Sequence, residues 1–214
     1  MRSILRFAAA SALIAAYGQA IAQADVGLVN LVSGNVAFVP QAGAPGQVKA
    51  FMKVREGDRF DLPPGSQVQV VYFEGSRQER WQGPSSFRAQ KAQGTALSGT
   101  PAQVHALPAS VPQRMARIPE LMQNARLGGI QVRGASAARR ASEEMLQEAR
   151  QNYERLRGQL PKDDITAELY LFSVLNENQL YEEMAPLVAE MQRKQPGSDD
   201  VKALAGWLDR RRGR

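Results

Sequence analysis

The chain of 214 residues has no cysteine and one histidine, His105. Without thiols there can be no disulfide and no cysteine-borne lipid anchor, so the fold must rest on burial alone. A lone histidine with no cysteine leaves too few nitrogen and sulfur donors for an ordinary zinc site. His105 itself sits in the strand-like AQVHAL, where it reads as a packed or surface residue. A Gly-x-Ser-x-Gly elbow, a phosphate-binding loop and a dinucleotide fingerprint are also missing. No metal, no cofactor and no catalytic residue is therefore expected. Past the N-terminal segment, no apolar run approaches the roughly 20 residues that cross a bilayer.

The N-terminus is the most informative segment present. Arg2 and Arg6 precede the apolar stretch FAAASALIAAY, and Ala22-Gln23-Ala24 supplies a small-x-small site before Asp25. This pattern reads as a cleaved export signal over residues 1–24, and it places the remainder in the periplasm. Formal charge is +6. The basic excess is concentrated in residues 111–160 and in Arg210, Arg211, Arg212 and Arg214 at the C-terminus. In a cytoplasmic chain such an excess would point to nucleic acid. An exported chain does not meet nucleic acid, so none is expected as a partner, and an Arg-rich end reads as a solvated terminus.

The texture divides the rest into three parts. Residues 25–107 are rich in Val, Gly and Pro. Val26–Val32 and Asn35–Val39 read as strands, and Val48–Val54 and Arg59–Leu62 read as weaker ones. Turn signals at Ser33-Gly34, PQAGAPGQ and Pro63-Pro64-Gly65 separate them. Short strands so spaced predict a small antiparallel β-roll or sandwich. The stretch VVYFEGSRQERWQG, residues 70–83, alternates as a hairpin does. A two-residue turn at Gly75-Ser76 predicts Glu74 opposite Arg77, Tyr72 opposite Glu79 and Val70 opposite Trp81. Trp81 is then at least half buried beside Val68 and Val70. The opposite face carries Phe73, Val71, Arg80 and glutamines, and an aromatic beside a guanidinium can hold a sugar ring or an acidic peptide.

Gly34, Val36, Gly57-Asp58, Gly65, Glu74-Gly75-Ser76 and Gly83-Pro84 together form a recurring pattern. The pattern resembles the FecR-type extracytoplasmic β-domain over residues 27–107. The resemblance implies an envelope β-module that binds another macromolecule. Signal-relaying members add a membrane helix and a cytoplasmic regulator-binding segment, which this pattern does not continue into. Arg77 and Glu79 also stand where many relatives are apolar.

Residues 108–134 read as a linker broken by Pro108, Pro112 and Pro119. It carries a short helix over Glu120–Leu127 and a short strand or loop at Ile130–Arg133. From 135 the period changes. Ala138, Ala141, Met145, Ala149, Tyr153 and Leu156 mark one helix face. Asp163 or Asp164 can cap a second helix, and Ser198-Asp199-Asp200 opens a fourth. Pro186 falls inside the third, where it predicts a kink or a later start. The unit AELYLFSVLNENQLYEEMAPLVAEMQRKQP is similar to one tetratricopeptide repeat, although Phe172 and Met184 are bulky where the repeat is small. An independent helical bundle is the alternative, and either one implies a helical interaction surface over residues 135–214.

The expected fold class is therefore α+β, a small β-sandwich followed by α-helical hairpins. The expected function is a non-catalytic periplasmic binding or scaffold protein whose partners are envelope proteins. Phe73, Arg77, Arg80, Tyr170 and Tyr181 are its candidate contacts. A second reading is a polysaccharide- or peptidoglycan-binding module. A third is an envelope hydrolase using Asp58 and Asp61 as a carboxylate pair.

Overall fold

The computed structural model describes residues 24–127 and 143–213. The expected leader, apart from Ala24, lies outside them, as do the strand expected at 130–133 and the helical positions 138 and 141. The fold is α+β. Ten strands come first: β1 (Asp25–Ser33), β2 (Ala37–Val39), β3 (Gly46–Gln47), β4 (Lys53–Arg55), β5 (Arg59–Leu62), β6 (Gln67–Tyr72), β7 (Arg77–Gln82), β8 (Ser85–Ala89), β9 (Gly94–Gly99) and β10 (Gln103–Ala106). They form two antiparallel sheets, ordered β10-β7-β6-β1-β4 and β3-β2-β5-β8-β9. Helices follow: α1 (Ser110–Met115), α2 (Ile118–Arg126), α3 (Glu143–Gln159), α4 (Thr166–Glu177), α5 (Tyr181–Lys194) and α6 (Asp199–Arg212).

The two sheets face each other across a core of Val26, Val29, Val54, Leu62, Val68, Val70, Tyr72 and Trp81. Aromatic rings run through it in a row. Phe60 stacks on Phe87 at 4.7 Å, and Phe87 on Trp81 at 4.3 Å. Large aromatics bury much apolar area per residue, so this row is a major source of stability in a chain without disulfides. Leu28 and Val71, on the other face of the first sheet, join the helical core. The first sheet is thus the middle of three layers. Its central strands, VGLVNLV and VQVVY, are apolar almost throughout because both of their faces are covered.

The hairpin register differs from the expectation by two residues. Val68 lies opposite Trp81, Val70 opposite Glu79, and Tyr72 opposite Arg77. The turn is accordingly four residues, Phe73 to Ser76. A slip of two preserves the side-chain faces, so Trp81 still meets the valines and is only 2% exposed. The left-handed residue is Ser76, at φ 45°. Gly75 is needed for a different reason: a Cβ there would lie 2.0 Å from the Ala92 carbonyl oxygen.

Residues 108–127 of the expected linker are structured further than predicted. Pro112 and Pro119 sit in the first turns of α1 and α2, where a backbone N–H has no intrahelical acceptor and its loss costs nothing. Prolines that looked like breakers therefore start helices. Val111, Met115, Ile118 and Met122 carry both helices into the main helical core. α4 lies at the centre of that core, buried from Thr166 to Leu175. On α3 the buried face is Leu146, Ala149, Asn152 and Leu156, whereas Met145 is 47% exposed. α5 runs through Pro186. Ser198 caps α6 as its spacing predicts, its hydroxyl accepting the Val201 N–H at 3.3 Å.

Candidate functional site

The hairpin face proposed as a ligand patch is covered by the chain's own helices. Antiparallel pairing sets Gln69 beside Arg80, with Gln78 next along, on the helical side of the sheet. A bulge in β1 between Val29 and Leu31 adds Asn30 to the same face. The start of α4 is seated on these four residues. Gln69 and Gln78 donate their amide N–H groups to Asp164 Oδ2, at 3.0 and 2.5 Å. Asp164 Oδ1 accepts the Thr166 backbone N–H at 2.7 Å, but the N-cap position of α4 is Ile165, so neither Asp163 nor Asp164 caps this helix as expected. The Thr166 hydroxyl donates to Gln78 Oε1 and accepts from Asn30. Gln69 also donates to Asn30 Oδ1 at 3.1 Å. Arg80 donates to Gln69 Oε1 at 2.9 Å and to Asp163 Oδ1 at 3.1 Å.

All the amide and carboxylate atoms of Asn30, Gln69, Gln78 and Asp164 are thereby partnered, as buried polar groups must be if they are not to destabilise the fold. A second anchor lies just behind. Lys194, at the end of α5, donates to the Asp164 carbonyl at 2.8 Å and to both oxygens of Glu168, at 2.9 and 3.0 Å. Burial holds the Glu168 carboxyl above its usual range, and Lys194 pulls it part of the way back.

This arrangement relocates the predicted contacts. Arg80 is 8% exposed, and the acidic segment it grips is Asp163 of its own chain. Tyr170 is buried, its hydroxyl accepting from Asn152 at 3.3 Å. Phe73 is half-buried against the helical core. Arg77 faces the opposite way, bonded to Glu79 and Gln93. Tyr181 is partly buried, edge-on to Trp207. The five residues do not converge on one surface, because all five are committed to packing or pairing within the fold and Arg77 lies on the other side of its strand from Arg80.

Asp58 and Asp61 also separate. Asp58 is 2% exposed, and its Oδ2 accepts the Arg55 N–H at 2.9 Å. Burial raises its pKa, while the backbone N–H groups of Arg55 and Gln41 pull it down. Asp61 points to a different cleft, over the second sheet, and is bound to Arg59. His105 is partly exposed on the edge strand β10. Among the described residues no three or more His, Cys, Asp or Glu are grouped to hold a metal ion, and no helix is long and apolar enough to cross a membrane.

What the structure does assemble is a cleft of about 540 Å³ where the open edge of the sandwich meets α2. Phe38, Phe51, Met52, Pro119 and Met122 give it an apolar floor, and the exposed Lys49, Lys53, Arg55 and Arg126 rim it. The segment before β4, expected to be extended, turns sharply here. Phe51 adopts φ 60°, and its ring is buried in the helical core. Two bonds pin this turn to β1: Phe51 N–H to the Val29 carbonyl at 2.7 Å, and Val29 N–H to the Met52 carbonyl at 2.9 Å. An adjoining cleft of about 700 Å³ shares Lys49, Ala50 and Arg126 and continues toward the N-terminus of α6. Residues around Lys49 to Met52 escaped the sequence reading because no local signal marks a left-handed phenylalanine.

The chain matches no family model, no curated protein and no solved structure.

Proposed function

We propose that this chain belongs to the class of non-catalytic binding proteins. Within that class, it is a periplasmic scaffold that holds a protein partner in the cell envelope. Export rests on the leader-like pattern of residues 1–24, and the envelope role on the FecR-type pattern of the β-half. The observation that carries the binding role is the cleft between sandwich and α2. It is concave, apolar in its floor and charged at its rim, as recognition sites generally are. The helical half serves this role by completing the site and holding it rigid. It docks on the sheet through the satisfied polar network and contributes Pro119, Met122 and Arg126 to the cleft.

The experiment is a pull-down from envelope extract with the whole chain from Asp25 onward, alongside N-terminal sequencing of the exported protein. The two halves are unsuitable baits, because separating them exposes the core that Leu28 and Val71 share with the helices. Recovery of a defined protein, and a mature N-terminus at Asp25, are the expected results. Recovery of no protein, or an uncleaved cytoplasmic chain, counts against the reading.

A further inference from the structure

The 540 Å³ cleft has a composition that selects among envelope ligands, a selection that deepens the scaffold reading and rests on it. Four cations line it against one carboxylate, that of Asp58. Lys53 and Arg55 share Asp25, and Arg126 pairs with Asp200, but Lys49 is exposed and has no ion-pair partner among the described residues. The apolar lining includes Met52, whose unbranched thioether adapts to varied apolar shapes, and Phe38, while Phe51 and Met122 back them from the helical core. Phe38 and Met52 are half-buried, which leaves apolar surface for a ligand to cover.

The turn carrying Lys49 to Met52 is also the strained part of this wall. A bulky aromatic with φ 60° is a genuine outlier, and such outliers persist only where the surroundings over-determine them. Here the pins to Val29 and the burial of the Phe51 ring hold it. The consequence is that Lys49 and Met52 are presented from a rigid platform. An anionic glycan would use the cations but bring no apolar side chain to the Met52 thioether. A purely apolar ligand would leave Lys49 unpaired. An acidic peptide with a bulky apolar side chain uses both sets of groups.

We infer that this cleft binds a short acidic segment of a protein partner, with an apolar side chain seated against Met52 and Phe38 and a carboxylate paired to Lys49. The test uses the chain from Asp25 with ¹³C-methyl methionine. Its probes are acetyl-Glu-Phe-Leu-Glu-amide, the same peptide with lysines for glutamates, acetyl-Glu-Gly-Gly-Glu-amide and an oligogalacturonate. The first probe is expected to shift the Met52 and Met122 methyl signals saturably, leaving Met184 and Met191, buried in the helical core, in place. Lys49→Glu, at an exposed position that folding does not depend on, is expected to weaken that binding by about tenfold. Met52→Gln is expected to weaken it at a temperature where the variant is still fully folded, since Met52 also packs on the sandwich core and its loss lowers the melting temperature somewhat. Equal binding of the lysine peptide, the glycine peptide or the oligogalacturonate overturns the inference, as does the absence of any shift at millimolar probe. If the pull-down recovers a protein whose retention ignores Lys49→Glu and Met52→Gln, the scaffold reading stands and this site is wrong. If the peptide binds as expected but no protein is recovered, the site stands and the scaffold reading fails.

Discussion

The hairpin of β6 and β7 is buried on both faces, but by opposite chemistry. Toward the second sheet it presents Val68, Val70, Tyr72 and Trp81 to a stack of phenylalanines. Toward the helices it presents Gln69, Gln78 and Arg80 to Asp163, Asp164 and Thr166. Apolar contact is non-directional and grows with area, so the first face contributes stability while tolerating small displacements. Hydrogen bonds between buried groups are directional, and a misplaced one leaves a desolvated atom without a partner. The second face therefore contributes mostly specificity: it dictates where α4 sits on the sheet, and with it where α2 closes the cleft. That assignment of roles is a hypothesis, and the two faces can be set against each other by mutation.

The largest effect is expected on the apolar face. Trp81→Ala removes the end of the ring stack and should cost about 3–5 kcal/mol, read as a lowered urea midpoint. A loss below about 1 kcal/mol would mean that the stack is not the main support of the sandwich. On the polar face, Gln78→Leu strips Asp164 and Thr166 of partners and should cost about 1–3 kcal/mol. The informative measurement is hydrogen exchange: protection is expected to fall in α4 while β6 keeps its own. Uniform loss through both layers would refute the division of roles.

Replacing the set together sharpens the comparison. Asn30→Leu, Gln69→Leu, Gln78→Leu, Arg80→Met and Thr166→Val with Asp164→Leu exchange the whole network for apolar groups, which is often neutral or stabilising when volumes match. The expected outcome is retained global stability with weaker cleft binding of the acidic peptide, because α4 loses its fixed seat. Unchanged binding would show that the helical core alone positions α2.

Acid titration probes one polar exception on the apolar face. Glu79 is 1% exposed, and it accepts from the Gly94 N–H at 2.9 Å and the Trp81 indole N–H at 3.2 Å. Burial, the dominant cause, raises its pKa from the usual 4.5, while Gly94, Arg77 and Trp81 partly offset the rise. A carboxyl whose folded pKa lies above its unfolded one favours the fold when protonated. Its contribution is complete below about pH 4.5 and is lost as pH rises through the folded value. Asp58 and Glu168 shift in the same direction, so the wild-type curve alone does not isolate it. The difference between wild type and Glu79→Gln does. Wild type should lose ground to the variant as pH rises from 4.5, and a flat difference would exclude this group as the cause. The smallest effect is at the periphery, where Ser198→Ala removes the cap of α6 and should cost about 0.5–1 kcal/mol, read as a small drop in melting temperature.

The site was far less legible than the elements. Period-two alternation exposed the hairpin and the face of Trp81, because alternation is local and survives a register slip of two. Ser198 was readable as the cap of α6 for the same local reason. Arg80 was misjudged because a polar face reads as solvent-exposed until its partner is known, and that partner lies 83 residues away. Pro112 and Pro119 were read as breaks because a proline carries the same identity in a linker and in a first helical turn; only the packing of Val111 and Met122 separates the two cases. The cleft had no local signal, since Lys49, Met52 and Met122 come from segments with no shared motif.

By itself, then, the order of amino acids determined the succession of a β-half and a helical half, the inward side of the hairpin, the cap of α6 and the absence of thiols. Those properties depend on neighbours a few residues apart, where backbone geometry and side-chain period act directly. Only the tertiary structure decided that the polar face of the first sheet belongs to α4, that the supposed linker is part of the core, and that a rigid turn and α2 enclose a charged, apolar cleft. Each of these joins groups far apart in the chain, and which distant partner satisfies a buried amide or covers a phenyl ring is settled by packing the whole molecule at once.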